Sequence, residues 1–456
     1  LTKYCEIIQY LQIKIANGQI KPGNRLPPIR TIAQIFHCST STAVKAYGEL
    51  ERSHIIYPVP GSGYYLVENN LQPMVPSQEI IDFFSVAPGS ETLPYKEFQH
   101  CINQAISIYK EDLFSYCDPQ GMERLRKTIA KQLQDHQIFT DWQKIVITTG
   151  SQQAISLLIA MPFPNGKNTI LVEQPTYYGI IKALELSGCS VLGIERTEHG
   201  LDKNALERIF RNGNIKFFYT MPRFHNPTGF SYTNADKKEL VELAEKYDIY
   251  IVEDDCLADL DTDHKADPLY AFSNNDKVIY LKSYSKTFLP GLRLAMVLLP
   301  QELLNPFLEY KKWTDLSSPT LSQAALEIFI ASGMYANHRK NLTKIFRDRM
   351  ECLRTVTAQH TDCDITWSIP KTGFFASFTT NSNFSSDRLV PHLALDNVHL
   401  LNAQSCFLPG YKHSNLFRIC VGKTSTPQIQ LGLSAIFRTI QQLKTSKISK
   451  TAFIPL

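Results

Sequence analysis

The sequence predicts an α/β protein: a winged helix-turn-helix at the start, then a largely parallel sheet with helices on both faces. Three observations predict it. Over the first seventy residues, apolar side chains recur at helical spacing and then give way to two short β runs. From about residue 140, β-type runs alternate with helical ones, the mark of β-α-β units. The residues suited to chemistry stand where those β runs end, which is where such sheets bind ligands.

The opening elements follow in order. Ile7, Ile8, Leu11 and Ile15 form one helical stripe, stopped by Gly18 and Pro22-Gly23. Pro27-Pro28 leads into a second helix over residues 29–36. His37-Cys38-Ser39 makes the turn. Ser39 is the expected N-cap of a third helix, with Val44, Tyr47 and Leu50 facing inward. β runs over residues 55–57 and 64–67, joined by Pro58-Val59-Pro60-Gly61-Ser62-Gly63, complete the wing. The stretches Leu26-Pro27-Pro28-Ile29-Arg30-Thr31-Ile32-Ala33, Ser39-Thr40-Ser41-Thr42-Ala43-Val44-Lys45-Ala46-Tyr47 and Gly61-Ser62-Gly63-Tyr64 resemble the GntR-type DNA-binding domain, over residues 1–69. The resemblance implies a double-stranded DNA operator, met by Arg30, Ser39, Thr40, Ser41, Thr42, Lys45, Gly61 and Gly63. That family usually carries an arginine where Thr40 stands. Thr40 cannot make the bidentate guanine contact of an arginine, so the DNA read differs or leans on Arg30, Lys45 and the wing.

Totals agree with this division. A chain of 456 residues is too long for one ordinary core, so two or three domains are expected. Of the net charge of +4, residues 1–70 hold three, with seven Lys/Arg against four Glu. The excess is small but sits where a phosphate-binding surface would want it. Ten cysteines include no C-x-x-C pair, which suggests neither a disulfide framework nor a zinc site, but reduced thiols in a cytoplasmic protein. No apolar run approaches the roughly 20 residues of a membrane span. The N-terminus lacks a signal peptide's apolar core. Residues 70–80 are polar and Pro-containing, and read as a linker.

Beyond the linker, a β run at 145–149 leads into a helix at 151–160, and one at 169–173 into a helix at 180–187. A run at 217–220 precedes a helix at 235–246, followed by runs at 249–253 and 278–281. The strand ends carry the candidate chemistry. Thr149-Gly150-Ser151-Gln152 opens a helix, whose free N–H groups suit a phosphate. Pro175-Thr176-Tyr177 offers an aromatic to stack on a flat ring. His225-Asn226-Pro227-Thr228-Gly229 offers an amide donor to a phenolic oxygen. Glu253-Asp254-Asp255 sets carboxylates together at a buried strand end, a cost that a buried cation would offset. Ser283-Tyr284-Ser285-Lys286 follows the last run, and Pro290-Gly291 brings Arg293 back. Lysine, hydroxyls and guanidinium so placed are what pyridoxal 5′-phosphate (PLP) needs, the amine for a Schiff base and the rest for the phosphate.

Together these residues resemble fold-type-I PLP-dependent aminotransferases over about residues 80–440. The resemblance implies a large part at about 115–335 and a small α+β part at about 336–456. It implies that Lys286 forms the internal aldimine, Asp254 pairs with the ring nitrogen, Asn226 donates to the ring oxygen and Tyr177 stacks on the ring. Ser151, Gln152, Ser283, Ser285 and Arg293 would hold the phosphate, joined by Tyr116 from the neighbouring subunit, and Arg418 would clamp an amino acid's carboxylate. Where regulators of this kind have a tyrosine two positions after the aspartate, this chain has Cys256, a weaker donor; that puts efficient transamination in doubt and leaves PLP binding intact.

A GntR-type head fused to such a domain resembles the MocR-type transcription regulators. Their architecture implies a homodimer with an effector domain that senses PLP or an amino-acid-like amine, by aldimine exchange at Lys286. Two alternatives stay open: a working aminotransferase with an appended DNA-binding head, and a DNA-binding protein whose PLP fold is only a dimerisation scaffold.

Overall fold

The computed structural model describes residues 2–67, 80–262, 266–274, 276–360, 365–380, 386–411 and 415–451. It divides into two compact units, residues 1–78 and 79–456. Most of the expected linker falls outside the described residues.

The first unit holds α1 (Lys3–Ala16), α2 (Ile29–Ile35), α3 (Thr40–Arg52), β1 (Ile56–Val59) and β2 (Gly63–Leu66). Ser39 caps α3, its Oγ accepting the Thr42 N–H at 3.2 Å. The two strands pair antiparallel, Tyr57 opposite Tyr65. Ile7, Leu11, Ile32, Ala43, Ala46, Tyr47 and Leu50 form the core. One expectation is corrected here. Val44 does not face inward but is 49% exposed. The inward stripe of α3 runs through positions 43, 46, 47 and 50, and position 44 lies a hundred degrees round the helix from 43.

The second unit begins with β3 (Ile81–Asp82), α4 (Tyr95–Tyr109) and α5 (Glu123–Leu133). Its large part continues β4 (Ile145–Thr148), α6 (Ser151–Ala160), β5 (Thr169–Gln174), α7 (Tyr178–Ser187), β6 (Val191–Thr197), β7 (Gly200–Leu201), α8 (Lys203–Asn212), β8 (Ile215–Thr220), α9 (Asn234–Lys246), β9 (Tyr250–Asp254), β10 (Val278–Ser283) and β11 (Ala295–Leu298). Then come α10 (Gln301–Asp315), α11 (Thr320–Ala331) and α12 (Met334–Ala358). The chain ends in β12 (Ile365–Ser368), β13 (Phe375–Thr380), α13 (Ser386–Leu395), β14 (Val398–His399), β15 (Leu401–Asn402), β16 (Leu416–Cys420) and α14 (Thr426–Thr451).

Eight strands form one sheet in the order β4-β11-β10-β9-β8-β5-β6-β7. The central pairs are parallel, while β11 runs antiparallel between β10 and β4. Strands β5, β8, β9 and β10 are buried at every position, as a sheet covered on both faces requires. β6, β7 and β11 were not among the runs expected from sequence. A second, antiparallel sheet has the order β12-β13-β16-β15. β3 pairs in parallel with β14, so the segment that enters this unit is stitched to its C-terminal part.

Candidate functional site

Five strand ends converge on one cavity. After β4, Gly150 (φ +79°) turns the chain and α6 starts at Ser151, its first N–H groups free of intrahelical partners. A Cβ on Gly150 would stand 2.5 Å from Arg293 Nη2, so the missing side chain is what lets the guanidinium lie against the helix start. Ser283 closes β10, and its Oγ accepts the Ser285 N–H at 3.2 Å. The Ser285 hydroxyl itself is buried without a partner. Gln152 donates to the Gly179 carbonyl at 3.0 Å, which ties α6 to α7 and the Tyr177 turn. Gly179 leaves room for the Tyr177 ring.

The three carboxylates at and just past the end of β9 have separate fates, because successive residues of extended chain face opposite ways. Asp255 accepts from Arg223 Nε at 3.0 Å and from the Tyr280 hydroxyl at 2.9 Å. Burial pushes its carboxyl up, but the Arg223 guanidinium outweighs that and holds it below the ordinary range. Glu253 accepts the Leu269 and Tyr270 N–H groups at 2.8 and 2.9 Å. Burial, with Asp255 nearby, still raises it to about 7. Only Asp254 faces the cavity. Its Oδ2 accepts the Tyr219 hydroxyl at 2.7 Å, and its Oδ1 is buried and unpartnered. Burial raises Asp254 to about 6. The cation that sequence reasoning sought for the whole triplet is therefore wanted by this one oxygen alone.

Lys286 lines the same cavity. Burial lowers its amine, and Nζ donates to the Val86 carbonyl at 3.0 Å. Burial pushes the Cys256 thiol well up, so it is a neutral, weak donor. The residue before Asn226 is anchored on a buried carboxylate. His225 Nε2 stands 3.3 Å from Glu173, and Arg196, Thr220 and Tyr232 also engage that carboxylate. Arg418 on β16 is fully buried; Nη1 donates to Asn226 Oδ1 at 3.1 Å, Nη2 donates to the Phe84 carbonyl, and Nε has no partner.

Thus Ser151, Gln152, Tyr177, Asn226, Asp254, Cys256, Ser283, Ser285, Lys286 and Arg293 all line one cavity, together with Val86, Met221 and Phe375. Arg418 adjoins it through Asn226. Tyr116 does not reach it within one protomer and is 87% exposed. Sequence reasoning missed Tyr219 and the segment of Phe84 and Val86, whose contacts span the chain and leave no local signal.

These residues fit PLP. They provide two buried orphaned oxygens, a helix start with an arginine drawn against it by a glycine, and an amine whose proton burial makes easier to lose.

In the first unit, Arg30, Ser39, Thr40, Ser41, Lys45 and Gly61 are exposed, and Thr42 and Gly63 are half-buried. Ser39 is occupied as the cap, while Lys45 Nζ sits 4.4 Å over the Tyr4 ring. Arg25, not singled out from sequence, packs against Gly63 of the wing.

Residues 89–436 match the family model for aminotransferase class I and II, and residues 3–66 match that for bacterial regulatory proteins of the gntR family. The chain is similar to the uncharacterized HTH-type transcriptional regulator YcxD of Bacillus subtilis, 41% identical over 96% of this chain and 99% of that one. It is 26% identical to a 2-aminoadipate transaminase of Thermus thermophilus, over 80% of this chain and 91% of that one. Among solved structures, a kynurenine aminotransferase of Pyrococcus horikoshii shares the fold, with a TM-score of 0.74 at 23% identity, over 80% of this chain and 92% of that one. Among the described residues, no helix is long and apolar enough to cross a membrane.

Proposed function

The chain belongs to the aminotransferase class I and II family, with a gntR-family regulatory domain ahead of that match; on this premise we propose that it is a homodimeric DNA-binding regulator that holds PLP and answers a small amino-acid-like amine. The observation that carries the reading is the convergence of Lys286, Asp254, Asn226 and Arg293 on one cavity, with Asp254 Oδ1 and Ser285 Oγ buried and unpartnered.

Bound there, PLP would supply an aldehyde to condense with amines and an electron-withdrawing ring. Asp254 would take the ring nitrogen, Asn226 and Cys256 the ring oxygen, and Tyr177 the ring face. The α6 start with Ser151, Gln152, Ser283, Ser285 and Arg293 would take the phosphate. Tyr116 of a second copy would complete that seat. Lys286, lowered by burial, holds and moves protons at Nζ. Arg418, with its planar fork and unpartnered Nε, suits a carboxylate.

Lys286 and Arg418 also grip one backbone segment, Lys286 at Val86 and Arg418 at Phe84. A carboxylate drawn to Arg418 competes with the Phe84 carbonyl for the guanidinium. That segment is the first described stretch of the second unit along the chain, so the competition would supply the differential free energy between two states that a switch needs.

The test is a screen of amines against the purified full chain in PLP. Expected are a visible absorbance band, borohydride-stable mass on the peptide carrying Lys286, and amines that both shift the band and change DNA affinity. Lys286→Ala should abolish all three. A colourless protein that takes up no PLP defeats the reading and favours a scaffold.

The second reading is a working aminotransferase with a DNA-binding head, favoured by the completeness of the cavity's residue set. Rapid multiple turnover with a keto acid would establish it. The neutral thiol of Cys256 argues for slow turnover instead.

A further inference from the structure

We propose that Val44 is a base-reading residue, whose methyl groups meet the C5-methyl of a thymine in the major groove of the operator. This rests on the DNA-binding reading above.

A helix-turn-helix lays the N-terminal part of its second helix against base edges, and here that helix is α3. Its outward face runs through Thr40, Ser41, Val44, Lys45 and Gly48, opposite the buried stripe of Ala43, Ala46, Tyr47 and Leu50. Most polar groups near the helix start are already engaged. The Ser41 and Thr42 hydroxyls lie 2.8 and 2.9 Å from Ser39 Oγ, and the Lys45 ammonium lies over the Tyr4 ring. No arginine, asparagine or glutamine stands between Ser39 and Gly48, so Lys45, drawn over the Tyr4 ring, is the one side chain of this stretch that can pair bidentately with a base edge.

What the face presents instead is Val44, half exposed among hydroxyls. A β-branched residue is a weak helix former, so local propensity does not explain it. One turn on, a Cβ at Gly48 would meet nothing within 4 Å. The packing of the head therefore does not demand glycine there, and glycine weakens a helix interior. A bare backbone beside Val44 lets the groove wall approach closely. Valine can neither donate nor accept a hydrogen bond; the base-edge group it can recognise is the thymine methyl.

The experiment selects binding sites for the full chain from a random-sequence duplex library. Each thymine of the enriched site is then replaced by deoxyuridine, which lacks only the methyl group. We expect one thymine per half-site whose replacement weakens binding about fourfold, the worth of one buried methyl group. Val44→Ala, which retains only the Cβ, should lose most of that discrimination between the thymine and uracil duplexes. An enriched site in which no deoxyuridine matters overturns the assignment, as does a Val44→Ala protein that keeps the discrimination. Failure to enrich any sequence would instead sink the DNA-binding reading, and the assignment with it.

Discussion

Asp254 shows how one side chain can work against the fold and for the site. Its neighbours Glu253 and Asp255 are satisfied by backbone amides and by Arg223, whereas Asp254 keeps one buried oxygen unpartnered. Burial raises it to about 6. The folded chain therefore binds this proton more tightly than the unfolded chain does. That favours the fold below about pH 4, and the benefit is lost as pH rises through 6. At pH 7.5 the penalty is on the order of 3 kcal/mol. Asp254→Asn removes the charge and can still accept the Tyr219 hydroxyl. Denaturation without added PLP should find the variant more stable at pH 7.5, with the gap closing toward pH 4, while PLP retention falls. A variant no more stable than the parent at pH 7.5 would show that this carboxylate carries no such penalty. Gly150→Ala should act in the opposite sense. It crowds Arg293 and strains a left-handed backbone position, so both stability and PLP affinity should drop, measured by melting and by equilibrium dialysis.

At the scale of elements, α3 is tuned at two places. Ser39 satisfies the Thr42 N–H, and losing such a cap costs about 1 kcal/mol. Gly48 lacks a packing reason, and alanine there should add roughly 0.5–1 kcal/mol of helix stability. Hydrogen exchange at the α3 amides of the full chain should therefore speed up in Ser39→Ala and slow in Gly48→Ala. If groove approach is the reason for the glycine, Gly48→Ala will weaken DNA binding even as it steadies the helix. The strands of the large sheet were legible for a plain reason. Parallel strands covered on both faces are continuous apolar runs, and their ends carry Gly, Pro and Asn turns that local chemistry enforces. β6 was harder to see, because its burial alternates with exposed Leu192, Glu195 and Thr197. β11 is short and follows the Pro-Gly turn closely.

For the whole molecule, the proposed function asks how an amine bound at the cavity would alter the head. Phe84 and Val86 are gripped by residues 334 and 200 positions away, and β3 just before them is stitched to β14. Arg418→Lys keeps the charge but loses the fork, so hydrogen exchange over residues 83–87 should rise in that variant. In the parent chain, amines that change operator affinity should change exchange in the same segment. Unaltered exchange in both experiments would show that the segment is not the link.

The sequence alone determined the element types, the strand-end positions of the candidate residues and the two-part organisation, because periodicity, capping and turn chemistry act between residues close along the chain. It also singled out Lys286 and Asp254 by type and setting, and Arg418 through the family resemblance. Only the tertiary structure decided which of three adjacent carboxylates stays unpartnered, that Val44 looks outward, and that a remote segment lies across Lys286 and Arg418. Those outcomes depend on which distant side chains share a buried space, and desolvation and pairing there are set by neighbours in space.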